Sequence, residues 1–72
     1  MPVYQCFLID SADKVQEVDT IESPNEADAV FRGQHMLRGV SYAAAIEVWE
    51  HGSLIRHIER GDLQERRQHG RQ

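Results

Sequence analysis

The segment whose reading decides the fold runs from residue 44 to residue 60, AAIEVWEHGSLIRHIER. His51-Gly52 divides it into two strand-like halves, because Gly accepts positive φ freely and His is among the residues enriched there, so a two-residue hairpin turn is predicted. That turn sets Glu50 opposite Ser53, Trp49 opposite Leu54, Val48 opposite Ile55, Glu47 opposite Arg56, Ile46 opposite His57 and Ala45 opposite Ile58. The Glu47 and Arg56 pair of opposite charges supports this register by about 0.2 to 1 kcal/mol. Trp49 is out of phase with Ile46 and Val48, so apolar side chains occupy both faces of the hairpin. Ile46, Val48 and Ile55 share one face; Trp49, Leu54, Ile58 and Ala45 share the other, interrupted by Glu47 and Arg56.

Working outward toward the amino terminus, VYQCFLID (residues 3–10) is rich in β-branched, aromatic and aliphatic residues and reads as a strand. The turn formers of DSADK reverse the chain, and VQEVDTIE (15–22) reads as a second, more charged strand, with Phe7 opposite Val18 and Tyr4 opposite Ile21. SPNEADAVFRGQHMLRG (23–39) carries a helix-start signature, with Ser23 as N-cap, Pro24 at the first helical position and Glu26 completing a capping box. Its acids Glu26 and Asp28 lie at the positive end of the helix dipole and Arg32, His35 and Arg38 near the negative end, and Gly39 can take the left-handed cap that stops it. At 100° per residue Ala27, Val30, Phe31, Gln34 and Leu37 fall on one side, and Asp28, Arg32 and His35 look outward. Residues 1–60 are therefore expected to form one domain, and GDLQERRQHGRQ (61–72) a polar, flexible tail.

The order strand, strand, helix, strand, strand predicts an α+β fold, ββαββ. A four-stranded antiparallel sheet in the order 2-1-3-4 carries the one helix on one face, with a right-handed crossover. Composition agrees, since the two apolar strands become central and the two charged strands become edges, where charge discourages aggregation. The expected core is Ala27, Val30, Phe31, Leu37, Ile46, Val48 and Ile55.

A chain of 72 residues buries only roughly 60% of the surface its unfolded form exposes, so it has one small core. Apolar residues make up 40% and charged residues 28%, and no apolar run is long enough to cross a bilayer. Nothing at the start reads as an export signal and Cys6 is the lone cysteine, so a reducing cytoplasm is the expected location. The net charge of −4 is uneven: residues 1–31 hold seven acids and one lysine, and residues 32–72 hold seven arginines and five acids.

Motifs for chemistry are missing. The four histidines and one cysteine show none of the close pairs, C-x-x-C or H-x-x-x-H, that zinc sites are built from. No glycine-rich phosphate loop, nucleophile elbow or serine with a base partner is present. Cys6 sits in a central strand, where a thiol behaves as a small hydrophobe. No cofactor, no metal and no catalysis are expected, and a chain this small has little room for a substrate cavity.

The aromatic opening strand YQCFLID, the helical EADAV and the closing IEVWEHGSLI resemble a group of short bacterial proteins of unknown function, of alphaproteobacterial type. Glu47, Val48, Trp49, Leu54 and Ile55 carry the ending of that pattern, and residues 3–60 are covered. The resemblance implies a small bacterial cytoplasmic protein and brings no activity, cofactor or catalytic residue.

What remains is a sheet with a second greasy face and no second helix to cover it, the kind of patch that marks an interaction site. The expected function is a non-enzymatic interaction module, homodimeric through that face or by edge pairing, or docking another protein. Trp49, Leu54, Ile58, Ala45, Glu47 and Arg56 are the candidate contact residues. The alternative is single-stranded nucleic acid stacking on the exposed sheet, using Trp49, Tyr4, Arg56, Arg60, Arg66 and Arg67. The acidic net charge weighs against it.

Overall fold

The computed structural model describes residues 1–63. Strands β1 (Val3–Ile9) and β2 (Val15–Glu22), helix α1 (Glu26–Gly39), and strands β3 (Ala45–Glu50) and β4 (Ser53–Glu59) follow in that order. The four strands form one antiparallel sheet in the order β2-β1-β3-β4, the topology that the edge charges and central apolar strands predict.

The first hairpin has the predicted register over most of its length, with Phe7 opposite Val18 and Tyr4 opposite Ile21. The pairing shifts after Leu8, where Glu17 is its partner, so that Ile9 meets Val15 and Gln16 is the extra residue of a bulge. Asp10 organises the reversal. Its carboxylate accepts the backbone N–H groups of Ala12 (2.9 Å) and Lys14 (3.0 Å) and the Gln16 side-chain amide (2.7 Å), which together hold its pKa below the ordinary aspartate value. Asp13, with φ of 66°, occupies the left-handed region that Asp tolerates better than most residues.

Helix α1 starts two residues later than the sequence predicts. Asn25, not Ser23, is the N-cap: its side-chain oxygen accepts the Asp28 N–H at 2.8 Å. Asn is as good a cap as Ser. The choice between them is made by burial, since Ser23 is fully buried and its hydroxyl lies 2.6 Å from an Asp28 carboxylate oxygen. Asp28 also pairs with Arg32 one turn on, at 3.2 Å. Arg32 in turn donates to the Glu22 carbonyl at 2.9 Å, tying the helix to the end of β2.

The buried face of α1 is rotated from the predicted one. Ala29, Val30, Gly33 and Leu37 are buried, with Met36 partly so, whereas Ala27 is exposed and Phe31 is 55% exposed. Of the expected helix core, only Val30 and Leu37 stand. The cause is close approach. A Cβ at Gly33 would lie 3.1 Å from Val48 Cγ2 and 3.7 Å from Ile46 Cδ1, so the helix backbone rests almost directly on β3. A strip of Ala29 and Gly33 permits that approach, and a phenyl ring in the same place would hold the helix off the sheet.

The second hairpin turns through His51 (φ 53°) and Gly52 (φ 76°), the two left-handed residues of a primed turn, as predicted. Glu50 opposite Ser53 and Trp49 opposite Leu54 hold. Beyond them the register changes between Val48 and Trp49, with Ile55 as the extra residue: Val48 faces Arg56, Glu47 faces His57, Ile46 faces Ile58 and Ala45 faces Glu59. This one-residue bulge overturns four predicted pairs. It exchanges the faces of everything after it, because side chains alternate with a period of two. Ile58 turns inward to 5% exposure, and Arg56 moves to the helix side with Val48.

The core joins Tyr4, Cys6, Leu8, Ile46, Val48 and Ile58 of the sheet to Ala29, Val30 and Leu37 of the helix, with Ala43 and Leu63 closing one end and Ile55 packed against it. Leu63 corrects the expected domain end. The chain turns helical at Arg60, and that turn brings Leu63 into the core, so the domain reaches at least residue 63. The rest of the expected tail, 64–72, lies outside the described residues. Among the described residues no helix is long and apolar enough to cross a membrane.

Candidate interaction face

Helix α1 covers the side of the sheet that carries Tyr4, Cys6, Leu8, Ile46 and Val48. The other side carries the alternate positions: Val3, Gln5, Phe7 and Ile9 of β1; Val15, Val18 and Thr20 of β2; Ala45, Glu47 and Trp49 of β3; Leu54, His57 and Glu59 of β4. At its centre the Phe7 and Trp49 rings meet at 6.0 Å between centroids, tilted by 54°, a favourable aromatic arrangement. Val3, Val15, Val18 and Leu54 are each exposed by close to half or more, so an apolar band crosses all four strands.

A polar cluster adjoins the band. Glu47 accepts the Trp49 indole N–H on one carboxylate oxygen at 3.1 Å, and its other oxygen lies 2.8 Å from His57 Nδ1. His57 Nε2 is 3.4 Å from a Glu59 carboxylate oxygen. The hydrogen bond to Glu47 raises the His57 pKa above the ordinary histidine value; burial opposes it, and the hydrogen bond to Glu59 and both negative charges reinforce it.

Of the candidate contacts, Trp49, Leu54 and Glu47 lie on this face as the sequence predicts. Ala45 faces the same way but is buried to 6% exposure and offers little surface. Ile58 and Arg56 do not belong to it; the β4 bulge places Ile58 in the core and Arg56 on the helix side. Sequence reasoning missed Phe7, Val18 and His57. The parity of β1 would have found Phe7, since Gln5 pairs with Trp49 and shares its side with Phe7.

The residues named for nucleic acid are dispersed. Tyr4 is buried among the core side chains, and burial raises its phenol pKa, helped by the charges of Glu50 and Glu26. Arg60 turns inward: its Nε donates to the Ala43 carbonyl at 2.9 Å and its Nη2 to the carbonyls of Leu37, at 2.7 Å, and Val40. Arg66 and Arg67 lie outside the described residues.

Cys6 is fully buried, and burial, with the nearby Asp19 charge, pushes its thiol pKa up and keeps it protonated. His51 lies 3.8 Å from Glu50 in the turn, and His35 stands edge-on to Phe31 at 4.7 Å between centroids. Among the described residues no group of three His, Cys, Asp or Glu side chains is placed to hold a metal ion. Two open grooves do exceed the room expected of so small a chain. One of about 560 Å³ lies beside Asp10, Tyr42, His57 and Glu59, and one of about 460 Å³ beside Ala27, Phe31, Gln34 and Ile55.

No family model, no curated protein and no solved structure matches the chain.

Proposed function

We propose that this chain is a non-enzymatic interaction module that self-associates through the sheet face left open by α1. The observation that supports this reading is the Phe7 and Trp49 pair, flanked by exposed Val18 and Leu54, on a face over which the described residues place no helix. A band of this kind gains about 25 cal/mol for every Å² of apolar surface it removes from water. A second copy is the favoured occupant. The band runs across the middle of the sheet, so a two-fold axis lying parallel to the sheet plane, between two copies, sets the same patch against itself, as an isologous contact requires. A single small core also leaves a 72-residue domain with much to gain from association.

Nucleic acid finds no comparable support among the described residues, where Arg56 and Arg60 are directed away from this face. Sedimentation velocity over a dilution series tests the reading. The wild-type chain is expected to pass from dimer to monomer, and Trp49→Ala to weaken the dissociation constant by more than about 30-fold, the loss typical of a central aromatic contact. The far-ultraviolet dichroism of the variant should be unchanged. A wild-type chain monomeric at millimolar concentration, or a Trp49→Ala chain that associates as tightly, overturns the proposal.

A further inference from the structure

The Glu47 carboxylate does two things at once. One oxygen receives the Trp49 indole N–H at 3.1 Å, and the other is held by His57 at 2.8 Å. His57 is the only positively chargeable side chain in the cluster and is bracketed by a second acid, Glu59, at 3.4 Å. Resting on the reading of this face as a self-association surface, we infer that His57, Glu47 and Trp49 form a proton-gated clamp: protonated His57 holds Glu47, Glu47 holds the indole in its docking orientation, and loss of the proton loosens the aromatic surface and weakens association.

The charge arithmetic gives the direction. With His57 protonated, Glu47, His57 and Glu59 together carry −1; with it neutral they carry −2. Across an isologous contact the second state sets more like charge in the same plane and leaves two carboxylates with one fewer partner to offset their desolvation. Among the described residues no other cation on this face replaces His57. In the adjoining groove Asp10 is saturated by three donors, Asp13 adds negative charge, and Arg60 is committed to main-chain carbonyls. Glu50 and His51 lie at the far turn, and Arg56 is on the helix side.

The sign follows from linkage. A histidine whose folded pKa is raised contributes stabilisation that is complete below its unfolded value, about 6.5, and lost as pH rises through the folded pKa. That window governs folding; because the −2 state also sets more like charge across the contact, self-association follows the same direction and is strongest in mildly acidic solution. For every unit by which association raises His57 further in each protomer, the dissociation constant changes about tenfold per subunit.

Trp49 is the single tryptophan, so emission reads the clamp directly. The test records emission from pH 5.5 to 9 on dilute, monomeric protein for the wild type, His57→Gln, Glu47→Gln and His51→Gln, with sedimentation of the wild type at pH 6 and 8.5. The clamp requires a red shift on raising pH, with its midpoint above about 6.5, abolished in His57→Gln and Glu47→Gln and kept in His51→Gln. It also requires association at least about tenfold weaker at pH 8.5 than at pH 6. Emission that does not respond to pH, or responds equally in His57→Gln, overturns the clamp, and so does association of equal strength at both values. A wild type that never associates, while the emission transition depends on His57, instead refutes self-association and with it the role of the clamp in that contact.

Discussion

Leu37→Ala is expected to cost about 2 to 5 kcal/mol, the range for emptying a fully buried leucine site. A domain of this length has roughly 4 to 11 kcal/mol of stability in all, so the variant gives up a large fraction of it and unfolds at much lower denaturant or temperature. Leu37 has no exposed surface, and it lies on the same side of α1 as Gly33, whose main chain sits against β3, which leaves the site little freedom to collapse. Phe31→Ala, by contrast, should change stability by less than about 1 kcal/mol, since the ring is mostly in water and touches His35 edge-on. Urea unfolding checks both: a large fall in midpoint for Leu37→Ala and almost none for Phe31→Ala. If Phe31→Ala proves the more damaging, the helix is rotated from the orientation described.

Arg60→Ala is expected to cost about 2 to 4 kcal/mol, because it removes charge-assisted hydrogen bonds from three half-buried carbonyls. Leu37 and Val40 supply carbonyls at the carboxyl end of α1, where main-chain acceptors have no partner within the helix. Ala43 belongs to the approach to β3, and the Arg60 N–H reaches the Ala44 carbonyl at 2.9 Å, so one residue joins the helix end, the following loop and the end of β4. Arg60→Lys should recover little, since an ammonium cannot present the same planar set of donors. Thermal melting of both variants checks this. A lysine variant as stable as wild type would reduce Arg60 to a surface charge.

The order of elements, the sheet topology and the His51-Gly52 turn were legible because each rests on local signals: period-two alternation, turn residues, charged edges. The helix face and the β4 register were not, and for one shared reason. Both depend on which surfaces meet at closest range. Periodicity weighs Phe31 above Gly33 because it counts hydrophobicity, but at a helix to sheet contact the small residue decides the separation. In the same way, a tight turn fixes the first pairs of a hairpin, and the bulge at Ile55 is set further along, where Ile58 has a core to enter and His57 an acid to meet. The open face was half read: Trp49 and Leu54 came from parity alone, whereas Phe7 and His57 needed the strand order and the shifted register.

The seating of α1 also ranks the strands by how readily they can leave. The helix rests chiefly on β3, with lesser contact to β1 and β4. Along β2 only Asp19 and Ile21 are even partly shielded, and besides its ladder with β1 it is fastened by Arg32 at its end and by the Tyr42 hydroxyl, which donates to Glu17 at 2.6 Å. β2 is therefore the first element to peel away, and its amides should exchange with solvent well before those of β1 and β3. When it goes, β1 becomes an unpaired border of alternating greasy residues, primed to accept a neighbour's strand in its place. The acids that crowd β2 then serve as a guard on the way back, repelling the β2 of any other copy that approaches before the native hairpin has closed.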